Sequence, residues 1–266
     1  MFGGGMAPMG IGGTVVVLIL SLIFGKNFLG GSSQVQGYQD STQTANGEIG
    51  PSQESPAEAR EVQFVSFVLD TAQAVWSRLE PRTFGHPWTD AKLVLFRDAT
   101  QTGCGEGQTA MGPFYCPDDQ KVYIDLTFFD ELKQRFGAPG EFAQAYVIAH
   151  ELGHHVQDLN GVEQQVRQLQ QDHPNEANPL SVELELQADC YAGVFGHALQ
   201  SDSILDPGDI DDGLRAAAAV GDDRLQQETQ GRVVPESFTH GTSAQRSSWF
   251  RRGFESGDPK ACDTFK

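Results

Sequence analysis

Two histidines four positions apart, in a segment with the apolar spacing of a buried helix, constrain this chain more than any other feature of its sequence. His150 and His154 enclose Glu-Leu-Gly, which makes an H-E-x-x-H motif. The apolar residues around them recur at helical spacing, which predicts a helix over residues 142–159. Side chains four positions apart on a helix project from the same face, so the two imidazole rings can bind one cation together.

Glu151 directly follows the first of these histidines. Its side chain points about 100° away from that of His150 around the helix, so its carboxylate can reach a water beside the cation instead of binding the cation. A catalytic zinc ion usually takes three protein ligands and leaves a fourth position for water. The motif therefore predicts one Zn²⁺ ion, with Glu151 as the general base that accepts a proton from the water.

The third ligand is expected in a second helical segment, over residues 181–199. Glu185 and Asp189 share one face of this helix, so Glu185 can bind the metal while Asp189 accepts a hydrogen bond from the outer N–H of a ligand histidine. Glu183 is the rival ligand, but it lies about 200° around the helix from Glu185, so both cannot face one ion. A solvated acidic face is the alternative for both glutamates.

Four further side chains are weighed as parts of the site. His240 lies in a Gly- and Ser-containing segment outside the main helices, and it either stabilises a developing oxyanion or has only a structural role. Tyr123 and Tyr191 are weaker candidates for the oxyanion. His155 lies about 140° around the helix from His150, which indicates a structural role or a hydrogen bond to a ligand.

The chain has four cysteines, and none of them forms a C-x-x-C pair. This argues against a zinc ribbon or a thioredoxin-type motif. Four well-spaced cysteines are compatible with two disulfides in an oxidising compartment, and three pairings are open. We favour Cys104 with Cys116, which closes a short Gly-rich loop, and by elimination Cys190 with Cys262. Four buried free thiols are the alternative.

The first 25 residues contain no charged side chain. Twenty helical residues within them would reach about 30 Å, the thickness of a bilayer core, which predicts one membrane-spanning helix in contact with lipid. A cleaved signal peptide is the alternative. Lys26 alone favours a cytoplasmic domain, whereas the disulfides favour an extracytoplasmic one, and we expect the latter.

Composition divides the chain into three parts. Residues 1–29 are expected to be the membrane anchor, and residues 30–56, rich in Gly, Ser, Gln, Thr and Asn, a flexible linker. Residues 57–266 are expected to form one domain. The formal net charge of −18 disfavours a nucleic-acid partner, because phosphate backbones would repel the chain.

The periodicity predicts an α+β fold class, a mostly helical body with a small antiparallel sheet. Further helices are expected over residues 56–79, 128–136, 209–220 and 243–254, and strands over residues 92–96 and 121–125. Gly161, Gly221 and Gly253 are placed where helices should stop. If residues 122–125 form a sheet edge beside the metal helix, an extended peptide could pair with it through main-chain hydrogen bonds.

Several short strings from about residue 60 to the end resemble one bacterial family, the neutral zinc metallopeptidases of the YpfJ type. The strings are Cys-Gly at 104–105, Gly-Pro-Phe-Tyr-Cys-Pro at 112–117, Val-Tyr-Ile-Asp at 122–125, His-Glu-Leu-Gly-His-His-Val-Gln at 150–157, Glu-Leu-Gln-Ala-Asp-Cys at 185–190, His-Gly-Thr-Ser at 240–243, Trp-Phe at 249–250 and Cys-Asp-Thr-Phe at 262–265. The resemblance implies a membrane-anchored zinc peptidase with a zincin-like domain of gluzincin layout. It also implies that His150, His154 and Glu185 bind the metal and that Glu151 is the base.

The resulting hypothesis is a membrane-anchored endopeptidase that hydrolyses a peptide or protein substrate with a zinc-activated water and Glu151 as general base. A catalytically silent, zinc-stabilised binding or chaperone scaffold at the membrane is the first alternative. The presence of Glu151 argues against it, and a structural zinc site usually fills its fourth position with another Cys or His. A zinc hydrolase of non-peptide amides or cell-wall material is the second alternative, and the sequence does not separate it from a peptidase.

Overall fold

The computed structural model of the chain describes residues 56–134 and 140–265. Helices account for most of these residues, and five short strands lie together near the N-terminal side. In chain order the elements are α1 (Pro56–Thr83), β1 (Lys92–Phe96), β2 (Ala99–Thr102), β3 (Gly105–Gln108), β4 (Phe114–Cys116), β5 (Lys121–Asp125), α2 (Phe128–Gln134), α3 (Glu141–Leu159), α4 (Val162–Asp172), α5 (Ala177–Ser201), α6 (Asp209–Ala219), α7 (Asp222–Gln230) and α8 (Ser243–Ser256).

The strands form a mixed sheet, so the expectation of an antiparallel sheet is only partly correct. The larger sheet has the order β1-β5-β4, in which β1 is parallel to β5 and β4 is antiparallel to it. Strands β2 and β3 form a separate antiparallel pair. The chain between β1 and β5 contains this pair and β4, which makes it long enough for the crossover that a parallel pair requires. The α+β class holds.

Strand β5 is the inner strand of the larger sheet. Its register places Tyr123 between Val94 of β1 and Phe114 of β4, so both of its edges are paired. The expected pairing of a substrate peptide with residues 122–125 is therefore wrong. The main-chain N–H and C=O groups of an inner strand already bond to its neighbours, and only an edge strand offers them to a peptide.

The expected localisation, a single-pass membrane protein with an extracytoplasmic domain, is corrected by the structure. Within residues 56–134 and 140–265, no helix combines the length and the apolar character needed to cross a bilayer. The expected anchor and residues 30–55 of the expected linker lie outside the described residues. Pro56, which was assigned to the linker, begins α1.

Helix α3 is packed between other helices and the larger sheet. It contacts α1, α2, α5 and α6 as well as β4 and β5. Its residues Ile148, Leu152 and Val156 have no exposed surface, because this face is covered by the neighbouring elements. Gly153 allows the close approach of α5, since a Cβ atom at this position would lie only 3.0 Å from the Cα atom of Ala188. The helix with the H-E-x-x-H motif is therefore firmly packed.

Helix α8 packs still more closely on α5, and Gly253 makes this contact. The prediction that Gly253 ends the helix is wrong, because α8 continues to Ser256 and is followed by Gly257 with φ 61°. A Cβ atom on Gly253 would lie 1.9 Å from the carbonyl oxygen of Cys190. Gly253 is thus required by the contact between two helices, and the close packing brings Arg246 of α8 to Asp189 of α5.

The patterns did not predict every element. Helix α4 carries Val162, Val166 and Leu169 at helical spacing, but Val166 is its one buried residue, and α7 has Leu225 beside two polar buried side chains. Both helices are short and mostly polar, so their apolar pattern is weak. Helix α1 extends past its predicted end and contains Pro81 in its last turn. Proline has no N–H to donate to the carbonyl of Ser77 and its ring crowds that carbonyl, which fits a helix that ends two residues later at Thr83.

Both favoured cysteine pairs are disulfides in the structure. Cys104 is bonded to Cys116, which fastens the β2–β3 pair to strand β4. Cys190 of α5 is bonded to Cys262, in a short 3₁₀ turn after α8. The second disulfide fixes the C-terminal segment against the helix that carries Glu185 and Asp189.

Candidate metal centre

Helices α3 and α5 bring two imidazoles and one carboxylate together. Glu185 Oε2 lies 3.1 Å from His150 Nε2, and Glu185 Oε1 lies 3.5 Å from His154 Nε2. One ligand atom from each of the three side chains lies within 4.8 Å of the others, so this group could hold a metal ion. Glu183 is not part of the group, as its position around α5 predicts.

The outer nitrogen of each histidine is hydrogen-bonded away from the cluster. His150 Nδ1 lies 2.9 Å from Asp189 Oδ1, and His154 Nδ1 lies 2.8 Å from Gln157 Oε1. Acceptors in these positions hold the proton on Nδ1 and leave the lone pair of Nε2 for a metal. The two imidazoles and one carboxylate are also the donor types that zinc prefers in catalytic sites. The residues present therefore fit a zinc ion.

The charges of the cluster are strongly coupled. Burial disfavours the charged form of His154, but the Glu185 carboxylate outweighs it and raises the pKa of His154 to about 10. Burial alone would raise the pKa of Glu185, yet the charges of His240 and His154 hold that pKa well below its usual range. A carboxylate that stays ionised beside two histidines is suited to bind a divalent cation.

Glu151 lies on α3 between the two histidines and is 7% exposed. Burial raises the pKa of its carboxyl group above the usual range, while the charges of His150 and His154 act in the opposite direction. A general base works best when its pKa lies closer to the working pH than that of an exposed carboxylate. The environment of Glu151 therefore suits proton transfer.

A buried arginine on α8 lies beside the candidate ligands and the residue that orients one of them. Arg246 Nε donates to Asp189 Oδ2 at 2.7 Å, and Arg246 Nη2 lies 3.6 Å from Glu185 Oε2. Tyr146, one turn before His150 on α3, donates its hydroxyl hydrogen to Asp189 Oδ1. Asp189 thus accepts hydrogen bonds from three directions while it orients His150. The charge of Arg246 compensates for two carboxylates that would otherwise repel each other.

His240 lies in the segment between α7 and α8 and is held by Asp222. Its Nδ1 lies 3.2 Å from Asp222 Oδ1, and Asp222 Oδ2 accepts hydrogen bonds from three successive backbone N–H groups, those of Thr239, His240 and Gly241. Burial lowers the pKa of His240, but the charges of Glu185 and Asp222 outweigh it and raise it. The structure therefore brings His240 into the electrostatic field of the ligands.

Three other residues considered from sequence lie in different clusters. Tyr123 donates to Asp119 at 2.6 Å, and Tyr191 packs edge-on against Trp76. His155 bonds to the hydroxyl of Tyr115 through Nδ1 and to the carbonyl of Thr89 through Nε2. It therefore ties α3 to β4 and to the chain before β1, which is a structural role.

Sequence reasoning missed four buried side chains of this site. Tyr146 shares the face of His150 one turn earlier, so helical spacing could have identified it. Gln157 and Gln187 are three and two positions from residues already singled out, but nothing in a lone glutamine signals a hydrogen bond to a ligand. Arg246 is 57 positions beyond Asp189, and only the packing of α8 on α5 brings the two together.

The fold and the site together define a class of protein. It is a mostly helical α+β domain with a candidate metal centre of two histidines and one glutamate between two packed helices. The chain belongs to the family described as "Putative neutral zinc metallopeptidase", whose model matches residues 1–265. The resemblance noted from the sequence strings is confirmed, and zinc is the metal that the family name implies.

Two relatives from bacteria are similar to this chain. It is 51% identical over 259 residues to "Uncharacterized protein YpfJ" of Escherichia coli (strain K12), which covers 97% of this chain and 88% of the relative. It is 45% identical over 207 residues to "Uncharacterized protein Rv2575" of Mycobacterium tuberculosis (strain H37Rv), which covers 74% of this chain and 68% of the relative. No solved structure matches the chain.

Proposed function

We propose that this protein is a zinc-dependent endopeptidase that hydrolyses peptide or protein substrates. The observation that carries the proposal is the convergence of His150, His154 and Glu185 beside the buried carboxylate of Glu151. The family name supports a metallopeptidase. The formal net charge of −18 supports a substrate other than a nucleic acid.

His150, His154 and Glu185 would hold a single zinc ion. Asp189 and Gln157 support this role, because each accepts a hydrogen bond from Nδ1 of one histidine, which leaves Nε2 as the atom directed at Glu185 and at a metal ion. A bound zinc ion supplies a Lewis acid that polarises a carbonyl group and acidifies water.

Glu151 would move the proton in the reaction. Its carboxylate accepts the proton of the attacking water and passes it to the amine that leaves when the peptide bond breaks. His240 would donate a hydrogen bond from Nε2 to the oxyanion that develops on the scissile carbonyl. Asp222 supports this second role, because it holds Nδ1 of His240 at 3.2 Å and fixes the backbone on both sides of it.

The test compares Glu151→Gln with the parent protein, as full chains, on an unfolded protein substrate. Zinc content is measured on the same preparations. We expect the variant to retain zinc and to lose activity by about 10²–10⁴-fold, the usual contribution of a general base. Glu80→Gln is the matched control, because Glu80 is also a buried glutamate on a helix but binds Asn160, away from the cluster.

Three results would contradict the proposal. A parent protein with one zinc ion per chain that cleaves no peptide bond would favour the binding scaffold. Equal activity of the parent and Glu151→Gln would show that Glu151 is not the base. A parent that hydrolyses cell-wall amides but no peptides would leave the metal centre in place and change the substrate class.

A further inference from the structure

The two candidate ligand histidines are oriented by different kinds of group. His150 Nδ1 faces a carboxylate, that of Asp189, which can only accept a hydrogen bond when ionised. His154 Nδ1 faces the side-chain amide of Gln157 at 2.8 Å. An amide has an acceptor end and a donor end, so it orients an imidazole correctly only if something prevents it from turning around.

The neighbours of Gln157 fix its amide in one direction. Gln157 Nε2 lies 2.7 Å from the carbonyl oxygen of Leu184 and 3.1 Å from Gln187 Oε1. Gln187 Nε2 in turn lies 3.0 Å from the carbonyl oxygen of Cys262. A backbone carbonyl can only accept, so the direction of every hydrogen bond in this series is determined by its two ends.

The series can be followed from Cys262 to the metal centre. Because the carbonyl of Cys262 accepts from Nε2 of Gln187, Oε1 of Gln187 is left to accept from Nε2 of Gln157. Oε1 of Gln157 then faces His154 and must accept, so the ring keeps its proton on Nδ1 when it gives up the other one to bind a metal. The lone pair consequently lies on Nε2, which points towards Glu185.

Burial makes this direction hard to reverse. Gln157 has no exposed surface and Gln187 is 5% exposed. An amide turned by 180° would place Nε2 of Gln157 against the N–H of His154 and Oε1 against the carbonyl of Leu184. Three buried hydrogen bonds, including the one to Gln187 Oε1, would be replaced by repulsive contacts, and each unsatisfied buried group costs about 1–3 kcal/mol.

The far end of the series is anchored to α5. Cys262 forms a disulfide with Cys190, three positions after Gln187 on this helix. Thr264, two residues after Cys262, donates its hydroxyl hydrogen to the carbonyl oxygen of Glu183 at 2.7 Å. The carbonyl of Cys262 is therefore a fixed acceptor, held to α5 on both sides of Gln187.

We propose that Gln157 and Gln187 are positioning residues that hold His154 in the tautomer that binds the metal, through a series of hydrogen bonds anchored at the carbonyl of Cys262. This inference rests on the proposed metal centre. It gives the C-terminal segment a role in metal affinity, although the segment contributes no ligand.

The experiment measures the zinc dissociation constant of the metal-stripped full chain by competition with a chelator of known affinity. Loss of a group that orients a ligand typically weakens metal binding by about 10–100-fold, and we expect this for Gln157→Met. Gln187→Met should weaken binding less, by about 3–10-fold, because the carbonyl of Leu184 still holds Gln157. Gln226→Met is the matched control, since Gln226 is a buried glutamine that bonds to Ser237 and Val234 instead.

A second measurement separates orientation from general loss of structure. In the zinc-loaded parent, NMR should show a slowly exchanging Nδ1–H proton on His154, and Gln157→Met should lose it while keeping the parent's helical circular dichroism. Gln157→Glu restores an acceptor for this proton. This variant should recover most of the zinc affinity. Its stability should be lower than that of the parent, because a carboxylate cannot donate to the carbonyl of Leu184.

The outcomes distinguish this inference from the proposed function. A parent chain that binds no zinc would overturn the metal centre itself. A parent that binds zinc with the same affinity as Gln157→Met and Gln187→Met would overturn the positioning role alone. Equal weakening by Gln226→Met would also overturn it, because the effect would then follow from losing any buried glutamine.

Discussion

Arg246 and Asp189 form a buried ion pair directly behind the candidate ligands. The two atoms that meet, Arg246 Nε and Asp189 Oδ2, lie 2.7 Å apart, and the residues are 3% and 0% exposed. The same carboxylate accepts the hydrogen bond of His150 Nδ1 through its other oxygen. Arg246 of α8 is thereby connected by hydrogen bonds through Asp189 of α5 to the candidate ligand His150 of α3.

Arg246→Met should strongly destabilise the protein. It leaves the Asp189 carboxylate, which is 0% exposed, without the charge of its arginine partner, and breaking a buried ion pair on one side typically costs about 3–5 kcal/mol. The free energy of unfolding, measured with denaturant on metal-stripped protein, tests this. Arg167→Met is the control, because its side chain is 49% exposed and pairs with Glu163 on the surface. A loss below about 1 kcal/mol for Arg246→Met, the range of surface pairs, would contradict the expectation.

Asp222→Asn should change how stability depends on pH. Burial would raise the pKa of Asp222, but the hydrogen bonds from His240 and from the backbone hold it below its ordinary value of 3.8. The folded state therefore binds this proton less readily than the unfolded state. The stabilisation is fully present above pH 3.8 and is lost as the pH falls through the lower folded pKa.

The measurement for Asp222 is denaturant unfolding at several pH values. At pH 7 the variant should be less stable than the parent by about 1.5–3 kcal/mol, as is usual for hydrogen bonds to a charged group. The difference should shrink below pH 3.8, where the parent also becomes protonated. A difference that stays constant down to the lowest pH at which the protein folds would show that the charge of Asp222 contributes nothing.

Gly253→Ala should disturb the contact between α5 and α8. Its Cβ atom would lie 1.9 Å from the carbonyl oxygen of Cys190, so one helix must move. Overpacking of this kind costs about 1–3 kcal/mol, and the thermal midpoint should fall accordingly. Ser248→Ala, on an exposed position of the same helix, should leave it nearly unchanged. An unchanged midpoint for Gly253→Ala would mean that the helices are less tightly packed than the structure shows.

Removal of the two disulfides should have unequal effects. Cys190 and Cys262 are 72 positions apart, whereas Cys104 and Cys116 are 12 apart. Because a longer closed loop restricts the unfolded chain more, each paired substitution to alanine should cost about 2–5 kcal/mol, with the larger loss for Cys190 and Cys262. Denaturant unfolding of the two double variants checks the order, and the reverse order would contradict it.

The local parts of the site could be predicted from sequence because they depend on one helix. The spacing of His150 and His154 determines that their side chains share a face, and the same rule separates Glu183 from Glu185 on α5. The buried setting of α3 followed from its apolar spacing, and the family followed from the strings around it.

The sheet could not be predicted to the same extent. Strands β2 and β3 are rich in Gly, Thr and Gln, so they lack the alternating apolar pattern that identifies a strand. Two runs with strand composition, at β1 and β5, carry no information on their relative direction. The parallel pairing and the inner position of β5 depend on how the chain between them folds.

By itself, therefore, the sequence determined which residues could share a helix face and which motif they formed. Only the tertiary structure decided that Arg246 lies behind Asp189, that His240 is bonded to Asp222, and that the carbonyl of Cys262 accepts from Gln187. The physical reason is the separation along the chain over which each kind of interaction acts. Helical periodicity acts between residues a few positions apart, whereas these contacts join distant parts of the chain and exist only after the helices have packed.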